Sequence, residues 1–263
     1  TVYCARDLQL DREVALKIPR FDLHAEPGAA SRFLRQARLV AQIDHAHVCT
    51  VYDAGEIEGI CYLAMRLVRG PTLADWMSPR KVSGREAADI VRKLALAVQQ
   101  IHQRGIIHRD IKTTNIVIDE SGEPLLMDFG LARWEDRSGH HTSSSLWVGS
   151  YTHMTPEQLD GKPADRASDI YCLGVVLFQL LTGRAPYEGT LLETARRLSK
   201  NDPPRPSRFK PGIDPRLEGR VKITVIATGF QREGARAIVP GVSKPTPSDL
   251  TAYSDGLAQP GNA

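Results

Sequence analysis

Several features are scarce in this 263-residue chain, and each scarcity removes a class of function. Cysteine occurs four times, at Cys4, Cys49, Cys61 and Cys172, without CxxC spacing. That argues against a disulfide framework or a zinc site and for a reducing compartment, so a cytoplasmic location is expected. Long hydrophobic runs are missing: "IYCLGVVLFQLL" (Ile170–Leu181), at 12 residues, is too short to span a bilayer and suits a buried helix. Charge of one sign is scarce too, because 34 Lys and Arg against 31 Asp and Glu leave only +3. No basic block marks a nucleic-acid or membrane surface. His24, His45, His47, His102, His140, His141 and His153 share no metal-ligand spacing. There is no internal repeat, and no signal peptide is legible.

What remains is an ordinary globular composition, 41% hydrophobic and 25% charged. The length suffices for one large domain or two small lobes. The opening "TVYCARDLQLDREVALKIPR" reads as two strands around a polar turn near Gln9–Arg12. "GAASRFLRQARLVAQI" spaces Phe33, Leu34, Ala37, Val40 and Ala41 along one helix face. "VCTVYDAGEIEGICYLAMRLV" gives two more strands about a turn at Glu58–Gly59.

From Gly84 the pattern becomes helical, with a stripe from Ala87 to Ile101 that ends at Gly105. "NIVIDESGEPLLMDFG" reads as a hairpin of two short apolar strands around Ser121–Gly122. Residues 131–153 read as a long polar loop, and a further helix is expected over roughly Ala167–Thr182. "NDPPRPSRFKPGIDP" holds too much proline for a helix. "VKITVIATGF" (Val221–Phe230) is strand-like, and residues 231–263 have the composition of a disordered tail.

The densest chemistry lies in "GIIHRDIKTTNIVID" (Gly105–Asp119), where Asp110, Lys112 and Asn115 follow D-x-K-x-x-N. Twelve residues separate Asn115 from Asp128, and the hairpin between them should bring the two together. Two such oxygen ligands suit Mg²⁺, which keeps few protein ligands and also binds phosphate. Asp110 is placed to orient or deprotonate a hydroxyl, and Lys112 to neutralise a transferring phosphoryl group. Phosphoryl transfer depends mostly on such positioning and charge stabilisation. Taken singly, each residue fits a turn cap or a solvated side chain equally well. The joint spacing is what points to chemistry.

On these residues the chain resembles the bacterial serine/threonine protein kinases over roughly residues 1–211. "HRDIKTTN" matches the catalytic loop, Asp128-Phe129-Gly130 the metal-binding D-F-G, and "VALK" (Val14–Lys17) the strand lysine. "TPE" (Thr155–Glu157) stands for A-P-E, and "DRASDIYCLGVVLFQLLTG" resembles the large buried helix, with Asp169 anchoring the catalytic loop. The resemblance implies an α+β bilobal fold, ATP and Mg²⁺ as cofactors, and protein Ser/Thr hydroxyls as substrates. Lys112 favours Ser/Thr over Tyr specificity. Lys17 should hold the ATP phosphates, Val2 and Ala15 should pack on adenine, and Met65 to Val68, including Leu67, should form the hinge. Arg109 implies control by phosphate on the activation segment, where Thr142, Ser143, Ser144 and Ser145 offer hydroxyls. Ser150 should support Asp110 and Lys112.

Three departures qualify the resemblance. The family's G-x-G-x-x-G would lie just before Thr1, so residues 1–68 are expected to form a partial N-lobe and residues 69–211 a partial C-lobe. Gln36 stands where the family has a glutamate paired with the strand lysine. After "IDPRLEG" the family would continue into helices carrying an arginine partner for Glu157. Here residues 214–235 instead resemble the end of the FtsZ-type, tubulin-like division GTPase, without that family's phosphate loop, and residues 212–230 read as a strand-like junction. The expectation is therefore an impaired kinase, with an inactive, partner-binding fragment as the alternative. Smaller departures are Arg66 at the hinge, Thr113 in the catalytic loop, and Tyr151 and His153 in "SYTHM".

Overall fold

Backbone pairing and burial explain the first lobe. The computed structural model describes residues 1–19, 28–129, 151–199 and 203–213, which belong to one unit spanning Thr1–Phe230. Strands β1 (Val2–Asp7), β2 (Arg12–Lys17), β3 (Val51–Ile57) and β4 (Ile60–Arg66) form an antiparallel sheet in the order β1-β2-β4-β3. Glu58 and Gly59 both adopt positive φ, 52° and 79°, in the two-residue turn joining β3 to β4. That handedness matches the natural twist of paired strands, which explains why the turn was legible. Helix α1 (Ala29–Val40) buries Ala29, Phe33, Ala37 and Val40, one face at helical spacing.

The second lobe is helical. Helix α2 (Leu73–Met77) is capped by the Thr72 hydroxyl, and α3 (Gly84–Gln103) by Ser83, whose Oγ accepts from Glu86 N. Each such cap satisfies an otherwise orphaned amide, worth about 1 kcal/mol. The short α4 (Pro156–Leu159) starts in a Thr155–Gln158 capping box. Helix α5 (Arg166–Thr182) buries 12 of its 17 residues and packs against α3, as an all-round apolar helix must. It ends at Gly183, where φ of 78° requires little more than a missing Cβ. Helix α6 (Leu191–Ser199) follows.

Between α3 and α4 lies the hairpin of β5 (Ile116–Ile118) and β6 (Pro124–Leu126). Its strands are apolar because they are covered: Ile116, Ile118, Leu125 and Leu126 are all buried. Among the described residues no helix is long and apolar enough to cross a membrane.

The fold is the expected α+β arrangement of a β-rich lobe and a helical lobe. Helices α2, α4 and α6 were not anticipated, being too short to show a periodic stripe or lying outside the recognised motifs. The proline-dense segment is not wholly irregular, since Pro206–Arg208 makes one 3₁₀ turn with proline at its tolerant first position. Tyr151–His153 is likewise a 3₁₀ turn rather than loop. The rest of the expected polar loop, and everything read into residues 214–263, lies outside the described residues.

Candidate active site

The site begins with a buried acid. Asp169, on the first turn of α5, is 1% exposed, and its carboxylate accepts from His108 N and Arg109 N, each at 2.8 Å. His102 Nε2, from the last turn of α3, lies 2.7 Å from the same carboxylate. These bonds pin the loop after α3 where Arg109 takes a left-handed φ of 70°, an uncommon state for a non-glycine residue. Asp169 thus accepts hydrogen bonds from the backbone of this loop. His102 was read only as one of the scattered histidines, since nothing in sequence links positions on different helices.

His108 ties that loop to the hairpin. Its ring is fully buried, Nε2–H donates to Met127 O at 3.0 Å, and the ring lies 4.9 Å from Phe129. Burial holds its pKa below the usual histidine value, against the pull of Asp169, so the ring is neutral with its proton on Nε2.

Asp110, Lys112 and Asn115 converge. Asn115 Nδ2 donates to Asp110 O at 2.9 Å and to Asp110 Oδ2 at 2.8 Å, while Lys112 Nζ sits 2.9 Å from the same Oδ2. Met127 N donates to Asn115 O at 2.8 Å, bringing Asn115 and the start of the Asp128-Phe129 pair to one end of the hairpin. Asp128 is also left-handed, at φ 50°, and its Oδ1 accepts from Lys17 Nζ of β2 at 2.8 Å. With its amide nitrogen committed to Asp110, Asn115 keeps Oδ1 free of hydrogen bonds among the described residues. Asn115 Oδ1 and the Asp128 carboxylate are hard oxygen donors of the type Mg²⁺ takes, and they fit that ion. Among the described residues no group of three or more His, Cys, Asp or Glu could hold a metal alone.

Among the described residues no hydrogen bond joins Gln36 and Lys17, and the lysine turns to Asp128 instead. A neutral amide offers less to an ammonium than a carboxylate does. Of the expected adenine wall, Ala15 and Met65 are cross-strand partners and both buried, whereas Val2 is 51% exposed. Leu67 follows β4 and is half-buried. Among the described residues Glu157 is partnered by the Ser168 hydroxyl of α5, which donates to its Oε1.

His153 fits into the C-terminal lobe rather than exposing itself. Its Nε2 lies 2.9 Å from Gln179 Oε1, and its Nδ1 lies 3.1 Å from Thr152 Oγ1. Burial pushes its pKa down to about 4, and nearby Lys112 adds to the depression. His45 and His47 behave as a structural turn: His47 N donates to His45 Nδ1, and the His47 ring meets Pro124 O. Gly130, Thr142, Ser143, Ser144, Ser145 and Ser150 lie outside the described residues.

A buried acid pinning an Asp–Lys–Asn loop beside a strand lysine and a hairpin aspartate defines the class, and comparison supplies the family. Residues 1–211 match the protein kinase domain, and the chain belongs to the protein kinase family. It is 37% identical over 234 residues to "Serine/threonine-protein kinase PrkC" of Bacillus subtilis, covering 88% of this chain and 36% of that protein. It is also 37% identical over 227 residues to "Serine/threonine-protein kinase PknB" of Mycolicibacterium smegmatis, covering 84% and 36%. The chain spans about a third of the length of the curated relatives it matches. Among solved structures, the Mycobacterium tuberculosis PknI kinase domain superposes with a TM-score of 0.67 at 28% identity, covering 88% of this chain and 85% of that one.

Proposed function

We propose that this chain binds Mg·ATP between its lobes and transfers the γ-phosphate to Ser or Thr hydroxyls of proteins. The observation that carries the reading is the convergence of Asp110, Lys112 and Asn115 at the hairpin end where Asp128 meets Lys17.

In this reading Asp110 orients the attacking hydroxyl and takes up its proton. Lys112, already beside that carboxylate, offsets charge on the phosphoryl group in flight. Lys17 exchanges Asp128 for the ATP phosphates, and Ala15, Met65 and Leu67 line the adenine site, with Val2 at its rim. Asn115 Oδ1 and Asp128 would hold Mg²⁺, which when bound neutralises phosphate charge. Arg109 is assigned to a regulatory phosphate on the 142–145 segment, with Ser150 supporting the loop. The family uses ATP and a divalent metal generally. The assignment of these residues is supported by motif spacing and by the geometry above.

One observation favours a weaker enzyme: Gln36 leaves Lys17 without the ion pair that would hold it off Asp128. A partner-binding protein with little turnover is the second reading. The test is Mg·ATP-dependent autophosphorylation, or phosphorylation of a generic Ser/Thr substrate, measured on wild type and Asp110→Asn. Turnover that Asp110→Asn abolishes supports the enzyme. Nucleotide binding without turnover leaves the second reading standing.

A further inference from the structure

After β4 the chain passes Leu67 and, within a few residues, runs along the outer edge of β5. Pro71 O accepts from Ile118 N at 3.0 Å, and Thr72 makes an antiparallel bridge with Val117. The opposite edge of the hairpin is held in the same way. Leu126 N donates to His47 O at 2.9 Å and Leu126 O accepts from Cys49 N at 3.0 Å, just before β3 begins. The β5–β6 hairpin is thus gripped on both edges by the two ends of the β3–β4 pair.

Gly70 is the tight point of this grip. Its φ is +150°, and a Cβ added there would lie 2.0 Å from the backbone carbonyl Ile118 O. No side chain can yield to relieve that approach, so either the hairpin or the hinge exit must move. Ile116 and Ile118 are 0% and 3% exposed, so a shift at Ile118 cannot be absorbed locally in close-packed surroundings. It passes along the three residues of β5 to Asn115.

We infer that Gly70 is a positioning residue, setting the spacing between the adenine-binding hinge and the metal-binding end of the β5–β6 hairpin. The inference rests on the proposed nucleotide and metal assignments. A misplacement of about 1 Å at such a site costs on the order of a hundredfold in rate.

The matched control is Gly122, in the turn of the same hairpin. It also has positive φ, +82°, but a Cβ there meets nothing within 4 Å. Binding of adenosine, of ATP without metal, and of Mg·ATP is measured by calorimetry on wild type, Gly70→Ala and Gly122→Ala. Gly70→Ala is expected to keep adenosine affinity while losing most of the gain that Mg²⁺ brings to ATP. Gly122→Ala is expected to keep both. The inference is overturned if Gly70→Ala retains the Mg²⁺ gain, if adenosine affinity and the gain fall together, or if the variant fails to fold. A wild-type protein without any Mg²⁺ gain would instead sink the metal assignment itself, and the inference with it.

Discussion

Lys17 Nζ lies 2.8 Å from Asp128 Oδ1, so the cation assigned to phosphate and the anion assigned to metal neutralise one another across the two lobes. The pair joins β2 to the residue pair after β6. The side chains are 17% and 34% exposed, so water screens the bond and leaves it weak enough to be exchanged. Nucleotide and metal would each take one member.

The first prediction concerns that exchange. Asp128→Ala should abolish the Mg²⁺-dependent part of nucleotide binding and lower any phosphotransfer by at least about a hundredfold, the scale of a lost electrostatic stabiliser. Calorimetry with and without Mg²⁺ checks the first effect, and incorporation of labelled phosphate the second. An unchanged response to Mg²⁺ would remove Asp128 from the metal site.

A second prediction tests the helix position. Gln36→Glu places a carboxylate on α1 that competes with Asp128 for Lys17. A charge-assisted bond is roughly twice as strong as a neutral one, so KM for ATP should fall severalfold with a smaller change in kcat. Lys17→Ala is the control, and should make the Gln36 substitution silent. Equal KM in wild type and Gln36→Glu would show that the lysine is positioned by other means.

Much of this site was legible because its parts are local. Asp110, Lys112 and Asn115 lie within six residues, and the hairpin carrying Asp128 announces itself through Ser121–Gly122. The strands and α3 were legible from alternation and from a long stripe. What escaped was tertiary. No pattern in sequence pairs His102 with Asp169, turns Lys17 towards Asp128, or gives Glu157 a serine for a partner, since each joins separate elements. Helices α2 and α4, at 5 and 4 residues, are too short for periodicity to reveal them.

The third prediction follows from burial at Asp169. Asp169→Ala strands His108 N and Arg109 N without their acceptor and removes the partner of His102. Breaking a buried charged network by deleting one partner costs on the order of 3–5 kcal/mol. Urea denaturation should show a loss of that order, with Asp169→Asn milder because the amide keeps an oxygen. A cost within about 0.5 kcal/mol, the range of ordinary surface substitutions, would contradict the anchoring role.

The fourth separates the cysteines by reactivity. Burial pushes the Cys49 thiol up to about 12, so little thiolate forms at neutral pH, whereas Cys4 is exposed. Brief iodoacetamide treatment of native protein at pH 8, followed by peptide mass spectrometry, should modify Cys4 and spare Cys49. Equal labelling would mean that the strand region around Cys49 opens readily.

The last prediction is a pH dependence with a definite sign. Burial lowers the folded-state pKa of His153 to about 4, and that of buried His108 is also lowered. An unfolded histidine titrates near 6.5. Above that value both states are neutral and the stability is fully present. As pH falls through 6.5 the unfolded chain gains protons that the folded protein refuses, so stability declines, for His153 until about pH 4. Each such histidine contributes a slope of up to about 1.4 kcal/mol per pH unit. The groups facing His153 are Gln179, Thr152, Lys112 and Asp110; Gln179 and Asp110 favour its protonation, Lys112 opposes it, and burial outweighs them. His153→Gln should therefore flatten the slope of unfolding free energy between pH 6.5 and 4 by about one proton's worth, leaving the His108 share. Denaturation curves across that range on both proteins decide it. Parallel slopes would mean that His153 takes up its proton as readily folded as unfolded, and that the turn ahead of α4 lets water reach the ring.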